Sequence, residues 1–147
     1  MKPLKVFAIT LVLLVHGAGA LAAESTSQFV KREAPRGITT TFYACLDKAD
    51  SDVIAIGSCL SAERHTQDAR LNAAYKALLG KLHGKAKEQL VSAERAWLVF
   101  HEKSDGFEAA LYSNEVVDNL QVTQNEMFRL CERANALEKY LPIANDQ

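Results

Sequence analysis

The sequence predicts an all-α fold: an antiparallel three- to four-helix bundle with a short N-terminal helix, stapled by one disulfide. From Thr41 onward the first proline is Pro142, and glycine is sparse. Alanine, leucine, glutamate and lysine dominate this stretch, and the alternation of polar and apolar residues typical of strands is absent. Near the C-terminus, apolar residues recur every seven positions, which favours packing along a neighbouring antiparallel helix.

Residues 1–22 have the pattern of a secretory signal peptide. Lys2 and Lys5 precede an apolar run that is too short to span a bilayer, and small residues follow as far as Ala20 and Ala22. We therefore expect cleavage near Ala22 and export to the periplasm or beyond. No stable membrane insertion is expected after cleavage.

The rest of the chain divides into a lead-in and one domain. Residues 23–40 are polar and include Pro35 and Gly37, so they are predicted to be a flexible lead-in. Residues 41–147 are predicted to form a single helical domain. A mature chain of this size is long enough to bury roughly two-thirds of its unfolded surface.

Capping and turn residues divide the first part of the domain. A short helix is predicted around residues 42–49, and Ser51 or Asp52 is the expected N-cap of a longer helix. Gly80 and Gly84 punctuate "GKLHGKAK", which predicts a turn near Gly84. The apolar face of the long helix is expected to contain Leu60, Leu71, Tyr75, Leu78 and Leu82.

Two further helices are predicted after this turn. The sequence "YSNE" separates them, with Ser113 or Asn114 as the expected N-cap of the second. The predicted apolar stripe of the first is Leu90, Ala93, Trp97, Phe100, Phe107 and Leu111. The heptad positions of the second are Val116, Thr123, Leu130 and Leu137, together with Leu120, Met127, Ala134 and Leu141.

The charge balance bears on the class of partner. The chain has 17 basic and 18 acidic residues, and loss of Lys2 and Lys5 leaves 15 against 18, a formal charge of −3. Nucleic-acid binding requires a basic face, so this balance argues against it. A mild negative charge weakly favours encounter with cationic proteins.

Three cysteines in an exported protein indicate one disulfide and one remaining thiol. Cys45 and Cys59 are close in sequence and flank a turn, so we favour this pair, although the residues alone leave three pairings open. A loop of this length gives about 3 kcal/mol in the chain-entropy model. Cys131 is expected to be a buried apolar residue, and an intermolecular bridge is the alternative.

No pattern of a metal site or a nucleophile is present in the sequence. "HEKSD" is not the H-E-x-x-H zinc motif, and no G-x-S-x-G elbow or glycine-rich phosphate loop occurs. Carboxylates converge between helices in di-iron bundles, and Glu63, Asp68 and Glu94 are the candidates for such a site, but the paired Glu-x-x-His motifs are missing. Solvated or locally paired carboxylates are the better interpretation. We predict no metal, no cofactor and no catalytic residue.

Polar residues interrupt the apolar faces of two helices. Asp68, Asn72 and Tyr75 share one helix face, and Arg95 is a suitable donor to Asp68 or Asn72 from the next helix. Together with Trp97 they are predicted to form a structural polar cluster that sets the helix register. A ligand-binding role is the alternative.

The connection "GKLHGKAK" carries Lys81, His83 and Lys85. An ordinary solvated turn is the simplest interpretation. The functional alternative is a basic, flexible tip able to enter an acidic cleft, and these three residues form the candidate inhibitory loop.

Three sequence blocks resemble the LprI-type lysozyme-inhibitor domain family. They are "CLDKADSDVIAIGSC", "DARLNAAYKALL" and "LVSAERAWLVF", in the order and approximate spacing of that family, and the resemblance covers roughly residues 41 to 141. The matching positions are Cys45, Cys59, Asp68, Leu71, Asn72, Tyr75, Glu94, Arg95, Trp97 and Phe100.

The chain departs from the family pattern at several positions. His101 stands where an arginine is common, and Asp105 and Asn125 stand at or nearest to the positions of a second cysteine pair. The absence of both cysteines of this second pair fits the loss of one whole disulfide, which leaves Cys45–Cys59. Cys131 is then outside the pattern.

The resemblance implies a secreted, disulfide-containing helical domain that inhibits lysozyme. Since the motif residues coincide with the predicted helix seam, Arg95 and Trp97 are expected to maintain the fold rather than to touch a target. The expected partner is a lysozyme or another cell-wall hydrolase, a class that includes delivered cell-wall toxins, and we expect a monomer or weak dimer. The alternative is an envelope-associated interaction module without inhibitory activity.

Overall fold

The computed structural model describes residues 24–113 and 115–145, and this part of the chain is an all-α bundle without strands. The predicted fold class is therefore confirmed. Residues 1–22, the predicted signal peptide, lie outside the described residues. The helices are α1 (Thr26–Glu33), α2 (Thr40–Ala49), α3 (Val53–Lys81), α4 (Gly84–Leu111), α5 (Val116–Glu138) and α6 (Leu141–Ala144).

The three long helices run up, down and up. α3 and α5 make the closest packing in the bundle and are parallel, since Arg64 binds Glu126 at 2.9 Å and Arg70 binds Glu138 further along both helices. The sequence predicted that α5 would pack along an antiparallel helix. That prediction holds for α4, since Glu94 pairs with Arg133 and Glu108 with Arg129 in reverse order, but not for the main neighbour α3.

Apolar residues form two core clusters, one towards each end of the α3–α5 pair. The first joins α1 and α2 to the start of α3 and to Met127 of α5. The second lies further along both helices and closes against α6. Four of the predicted heptad positions of α5 are buried: Met127, Leu130, Ala134 and Leu137.

The predicted flexible lead-in, residues 23–40, contains an ordered helix. α1 begins with a capping box in which Ser25 and Gln28 bond each other's backbone N–H, and it buries Val30. The connection to α2 is also held in place. Buried Glu63 of α3 accepts hydrogen bonds from Thr39 N at 2.9 Å and from Thr39 Oγ1 at 2.6 Å. The expectation of a flexible lead-in is therefore wrong for this part.

The observed helix starts test the predicted caps. Asp52 caps α3 by accepting from the N–H groups of Ile54 and Ala55 at 2.9 and 3.1 Å, as expected. The turn between α3 and α4 falls at residues 82–83, close to the predicted position. The N-cap of α5 is Glu115, so the prediction of Ser113 or Asn114 is wrong; Ser113 instead binds Asp118.

A disulfide joins Cys45 of α2 to Cys59 of α3, with 5.8 Å between the Cα atoms. This is the favoured pairing. Cys131 is a free, fully buried thiol that donates to the Arg36 carbonyl at 3.3 Å. An intermolecular bridge through Cys131 would require the bundle to open.

The orientation of α4 differs from the prediction. Leu90 and Trp97 pack against the second core cluster, but Phe100, Phe107 and Leu111 are 57%, 64% and 66% exposed. The predicted six-residue stripe is therefore split, with its C-terminal half facing solvent. Among residues 24–113 and 115–145, no helix is long and apolar enough to cross a membrane.

Candidate functional site

A cleft of about 270 Å³ lies where α3, α4 and α5 approach one another. Its walls combine polar and apolar side chains from all three helices, and it is the more enclosed of the openings near the predicted polar residues. The lining residues are Arg64, Asp68, Leu71, Asn72 and Tyr75 of α3, Glu94, Trp97, Leu98 and His101 of α4, and Glu126 and Leu130 of α5.

The structure brings together four of the five residues of the predicted polar cluster. Asp68, Asn72, Tyr75 and Trp97 all line the cleft, but Arg95 is exposed on a separate shallow surface of α4. Asn72 is exposed and donates at 2.9 Å to the Asp68 carbonyl oxygen of its own helix. The predicted hydrogen-bond network between Arg95 and α3 is therefore wrong.

The neighbouring residue, Glu94, occupies the inward position that was assigned to Arg95. Its carboxylate is bound by Arg133 of α5, and its side chain is only 7% exposed. The Arg133 guanidinium also lies 5.8 Å from the centroid of the Trp97 ring, and Trp97 stacks on His101 with 4.9 Å between ring centroids. Both aromatic rings therefore belong to a cation–π and stacking assembly that closes the seam between α4 and α5.

A second ionic cluster extends this seam towards the C-terminus of α4. Arg129 of α5 binds both Asp105 and Glu108, and Asn125 donates to Glu108 at 3.1 Å. His101 Nε2 lies 3.7 Å from Asp105 Oδ2 and therefore borders this ionic cluster. α4 is thus held to α5 mainly by charged side chains.

Three of these groups have the composition of a metal site. Potential ligand atoms of His101, Asp105 and Glu126 lie within 4.8 Å of one another. However, Asp105 is bound by Arg129 and Glu126 by Arg64, at 2.9 Å for the latter pair. A cation would compete with two arginines for these oxygens, so an ion-pair network is the arrangement that the chemistry supports.

A comparison with models of known protein families identifies the family of this chain. The family model described as lysozyme inhibitor LprI matches residues 45–138 of the chain. The chain belongs to the LprI family. No significant match exists among curated proteins or among solved structures.

Apart from the disulfide pair Cys45 and Cys59, the motif positions noted in the sequence divide into two groups within this LprI protein. One group lines the cleft: Asp68, Leu71, Asn72, Tyr75, Glu94 and Trp97. Arg95 and Phe100, by contrast, are exposed on α4. His101, which stands where an arginine is common, lies inside the seam among the ion pairs. The cleft therefore contains most of the motif positions, whereas Arg95 and Phe100 lie outside it.

Sequence reasoning missed the α5 half of this LprI seam. Arg129 and Arg133 are four residues apart and so share a helix face, while Glu94, Asp105 and Glu108 lie on α4. This charge pattern was a usable signal. Which charges of α4 pair with which charges of α5 became clear only from the fold.

A partly buried polar cluster outside the cleft joins α3 and α5 to the connection before α2. Arg70 of α3 donates to Asn135 Oδ1 at 2.6 Å and also binds Glu138, and this hydrogen bond to Glu138 raises the pKa of Arg70. Burial raises the pKa of Cys131, against a smaller opposing effect of Arg70. Burial likewise raises the pKa of Tyr43. These groups stabilise the fold and lie away from the cleft.

The candidate inhibitory loop is a short, exposed turn at one end of the bundle. Lys81 ends α3, His83 precedes α4, and Lys85 lies in its first turn; all three are exposed. The Lys81 ammonium binds the Asn145 side chain after α6. The loop is therefore shorter and more anchored than the predicted flexible tip, although its cationic groups still face outward.

Proposed function

We propose that this protein binds and inhibits a lysozyme or related peptidoglycan hydrolase. The observation that supports the proposal is membership of the LprI family, whose model matches residues 45–138. The activity required is binding rather than chemistry, so we propose that the protein is not an enzyme. Immunity to a delivered cell-wall toxin belongs to the same mechanism.

The proposed place of action is the periplasm or the cell exterior. The signal-peptide pattern of residues 1–22 supports export. The Cys45–Cys59 disulfide supports it independently, because disulfides persist in oxidising compartments.

The proposed contact includes the tip formed by Lys81, His83 and Lys85. Lysozyme-type enzymes cleave glycosidic bonds with two carboxyl groups in a groove. The exposed lysines of this turn have the charge opposite to that of such a groove, and close opposite charges strengthen a complex.

A turbidity assay of cell-wall lysis by c-type lysozyme tests the proposal. The mature protein should slow lysis in proportion to its concentration, and the triple variant Lys81→Ala, His83→Ala, Lys85→Ala should inhibit more weakly. Lys48→Ala is the matched control, since Lys48 is an exposed lysine of α2. Unchanged inhibition by the triple variant would exclude the tip as the contact.

One observation favours a second candidate function, an envelope-associated interaction module that binds a partner helix without inhibition. The C-terminal half of α4 exposes Phe100, Phe107 and Leu111. An apolar surface of this kind is typical of protein-interaction sites. A stable complex with an envelope protein in a pull-down, together with no effect on hydrolases, would favour this alternative.

A further inference from the structure

Along the C-terminal half of α4 the outer side is apolar and the side facing α5 is ionic, the reverse of an ordinary amphipathic helix, whereas Leu90 and Trp97 of the N-terminal half pack inward. The inner face carries Glu94, His101 and Glu108, which lie against charged residues of α5. The outer face carries Phe100, Phe107 and Leu111, all more than half exposed. With about 100° of rotation per residue, these three lie within about 40° of one another. They therefore form one continuous stripe.

Ion pairs with α5 keep this stripe on the outside. Turning α4 to bury Phe100 and Phe107 would separate Glu94 from Arg133 and Glu108 from Arg129. Carboxylates that lose their partners in a partly buried seam are strongly destabilising. The outward orientation is thus specified by the sequence.

Two lysines flank the stripe. Lys103 lies on the same side of α4, between the two phenylalanines, and Lys85 lies in line with it at the start of the helix; both are exposed. Within α4, Glu102 projects about 100° away from Lys103, Glu88 lies about 60° from it near the start of the helix, and the remaining acids face α5. We define Lys85, Phe100, Lys103, Phe107 and Leu111 as the outer α4 face.

We propose that the outer α4 face is the main target-binding surface and lies along an apolar groove that has carboxylates near its centre. This inference rests on the proposed function and names the surface that performs it. Glycoside hydrolases with two carboxyl groups in a groove have the required chemistry. In the complex, Phe100 and Phe107 occupy apolar subsites and the Lys103 ammonium faces the carboxylates.

The spacing of the anchors fits an extended groove. At a rise of 1.5 Å per residue, Phe100 and Phe107 are about 10 Å apart along the axis, and Lys103 lies roughly midway. From Lys85 to Phe107 the face extends about 33 Å. Helices that bind grooves commonly use anchors at i, i+3, i+4 and i+7, and Phe100, Lys103 and Phe107 follow this pattern. The candidate inhibitory loop, which carries Lys81, His83 and Lys85, is then one end of the same surface.

Charge complementarity favours a hydrolase groove over a second copy of this chain. In a two-fold antiparallel contact that sets Phe100 against Phe107, the axis passes between residues 103 and 104. Each Lys103 would then lie close to the Lys103 of the other copy, which is repulsive. A groove with carboxylates supplies the opposite charge.

The test measures binding of the full mature protein to c-type lysozyme by calorimetry. The double variant Phe100→Ala, Phe107→Ala should weaken binding about 30-fold or more, because central aromatic anchors dominate interface energies. Lys103→Glu should also weaken it, and a soluble N-acetylglucosamine oligomer that fills the enzyme groove should compete. Phe29→Ala and Lys76→Glu are matched controls, since both residues are exposed on other helices. Circular dichroism checks that every variant folds.

The outcomes separate this inference from the proposed function. Binding and inhibition that survive in the Phe100→Ala, Phe107→Ala variant would overturn the outer α4 face while the inhibitor proposal stands. A wild-type protein that does not bind lysozyme would overturn both. Sedimentation measures the oligomeric state of both proteins. A wild-type dimer together with a monomeric double variant would assign the face to a second copy and overturn the inference.

Discussion

Arg133 donates through both Nε and Nη2 to a single oxygen of Glu94, Oε2, at 2.9 and 2.6 Å. The other oxygen, Oε1, is buried and has no hydrogen-bond partner among the described residues. This pair joins α4 to α5 beside Trp97 and closes the cleft. The attachment of α4 therefore depends on a charge pair whose members cannot be removed singly without leaving a charge uncompensated.

Arg133→Met should destabilise the protein by about 3–5 kcal/mol, because Glu94 would remain buried and unpaired. Urea unfolding measures the effect. The double variant Glu94→Leu, Arg133→Met should recover most of the loss, since an apolar pair can replace a buried ion pair. Arg95→Met, at an exposed neighbour, should change stability by less than about 0.5 kcal/mol. If Arg133→Met were as stable as the double variant Glu94→Leu, Arg133→Met, this account of the seam would be contradicted.

Gly37→Ala should destabilise the protein by about 1–3 kcal/mol. Gly37 has φ +107°, and a Cβ there would meet the Arg70 guanidinium and lie 3.2 Å from Asn135 Oδ1. Gly80→Ala is the control, because Gly80 is helical with no neighbouring atom within 4 Å of an added Cβ. The control should be neutral or stabilising by up to about 1 kcal/mol. Equal effects of the two substitutions in thermal unfolding would show that the lead-in is not held as described.

Reduction of the Cys45–Cys59 disulfide should lower the free energy of unfolding by about 3 kcal/mol. Mass spectrometry after iodoacetamide treatment gives a direct check of the thiols. The native protein should take up no label, the unfolded unreduced protein one, at Cys131, and the unfolded reduced protein three. A peptide linked through Cys131 would refute the assignment.

Alkaline pH should destabilise the fold through Cys131. Burial raises the pKa of this thiol above its ordinary 9.0, so the unfolded chain loses the proton at a lower pH than the folded protein. The stabilising contribution is fully present below about pH 9 and is lost as the pH rises through the folded value. Tyr43, whose pKa is also raised, acts in the same direction at higher pH. In Cys131→Ala the decline between pH 8 and 10 should be shallower; parallel curves would contradict this origin.

The sequence predicted those parts of the fold that depend on one helix at a time. The buried positions Met127, Leu130, Ala134 and Leu137 follow a single seven-residue period, and Asp52 caps its own helix. Such signals are local, and both the burial of these positions and the cap were predicted correctly.

Features that depend on two helices could not be predicted in the same way. Phe100, Phe107 and Leu111 form a visible stripe, but the stripe alone does not say whether it faces the core or the solvent. The orientation is set by the ion pairs between α4 and α5. Similarly, the polar lead-in resembled a free loop because its attachment to Glu63 and Gln67 of α3 is made largely through backbone groups.

The most direct test of the proposed function is hydrolysis of a soluble chromogenic oligosaccharide by purified c-type lysozyme, titrated with the mature protein. A small soluble substrate is preferable to cell walls. A protein that merely coats the cell wall would slow its lysis but would not protect a soluble substrate. We expect the rate to fall with protein concentration and to saturate near one inhibitor per enzyme. An unchanged rate at a large molar excess would contradict inhibition of this class of enzyme.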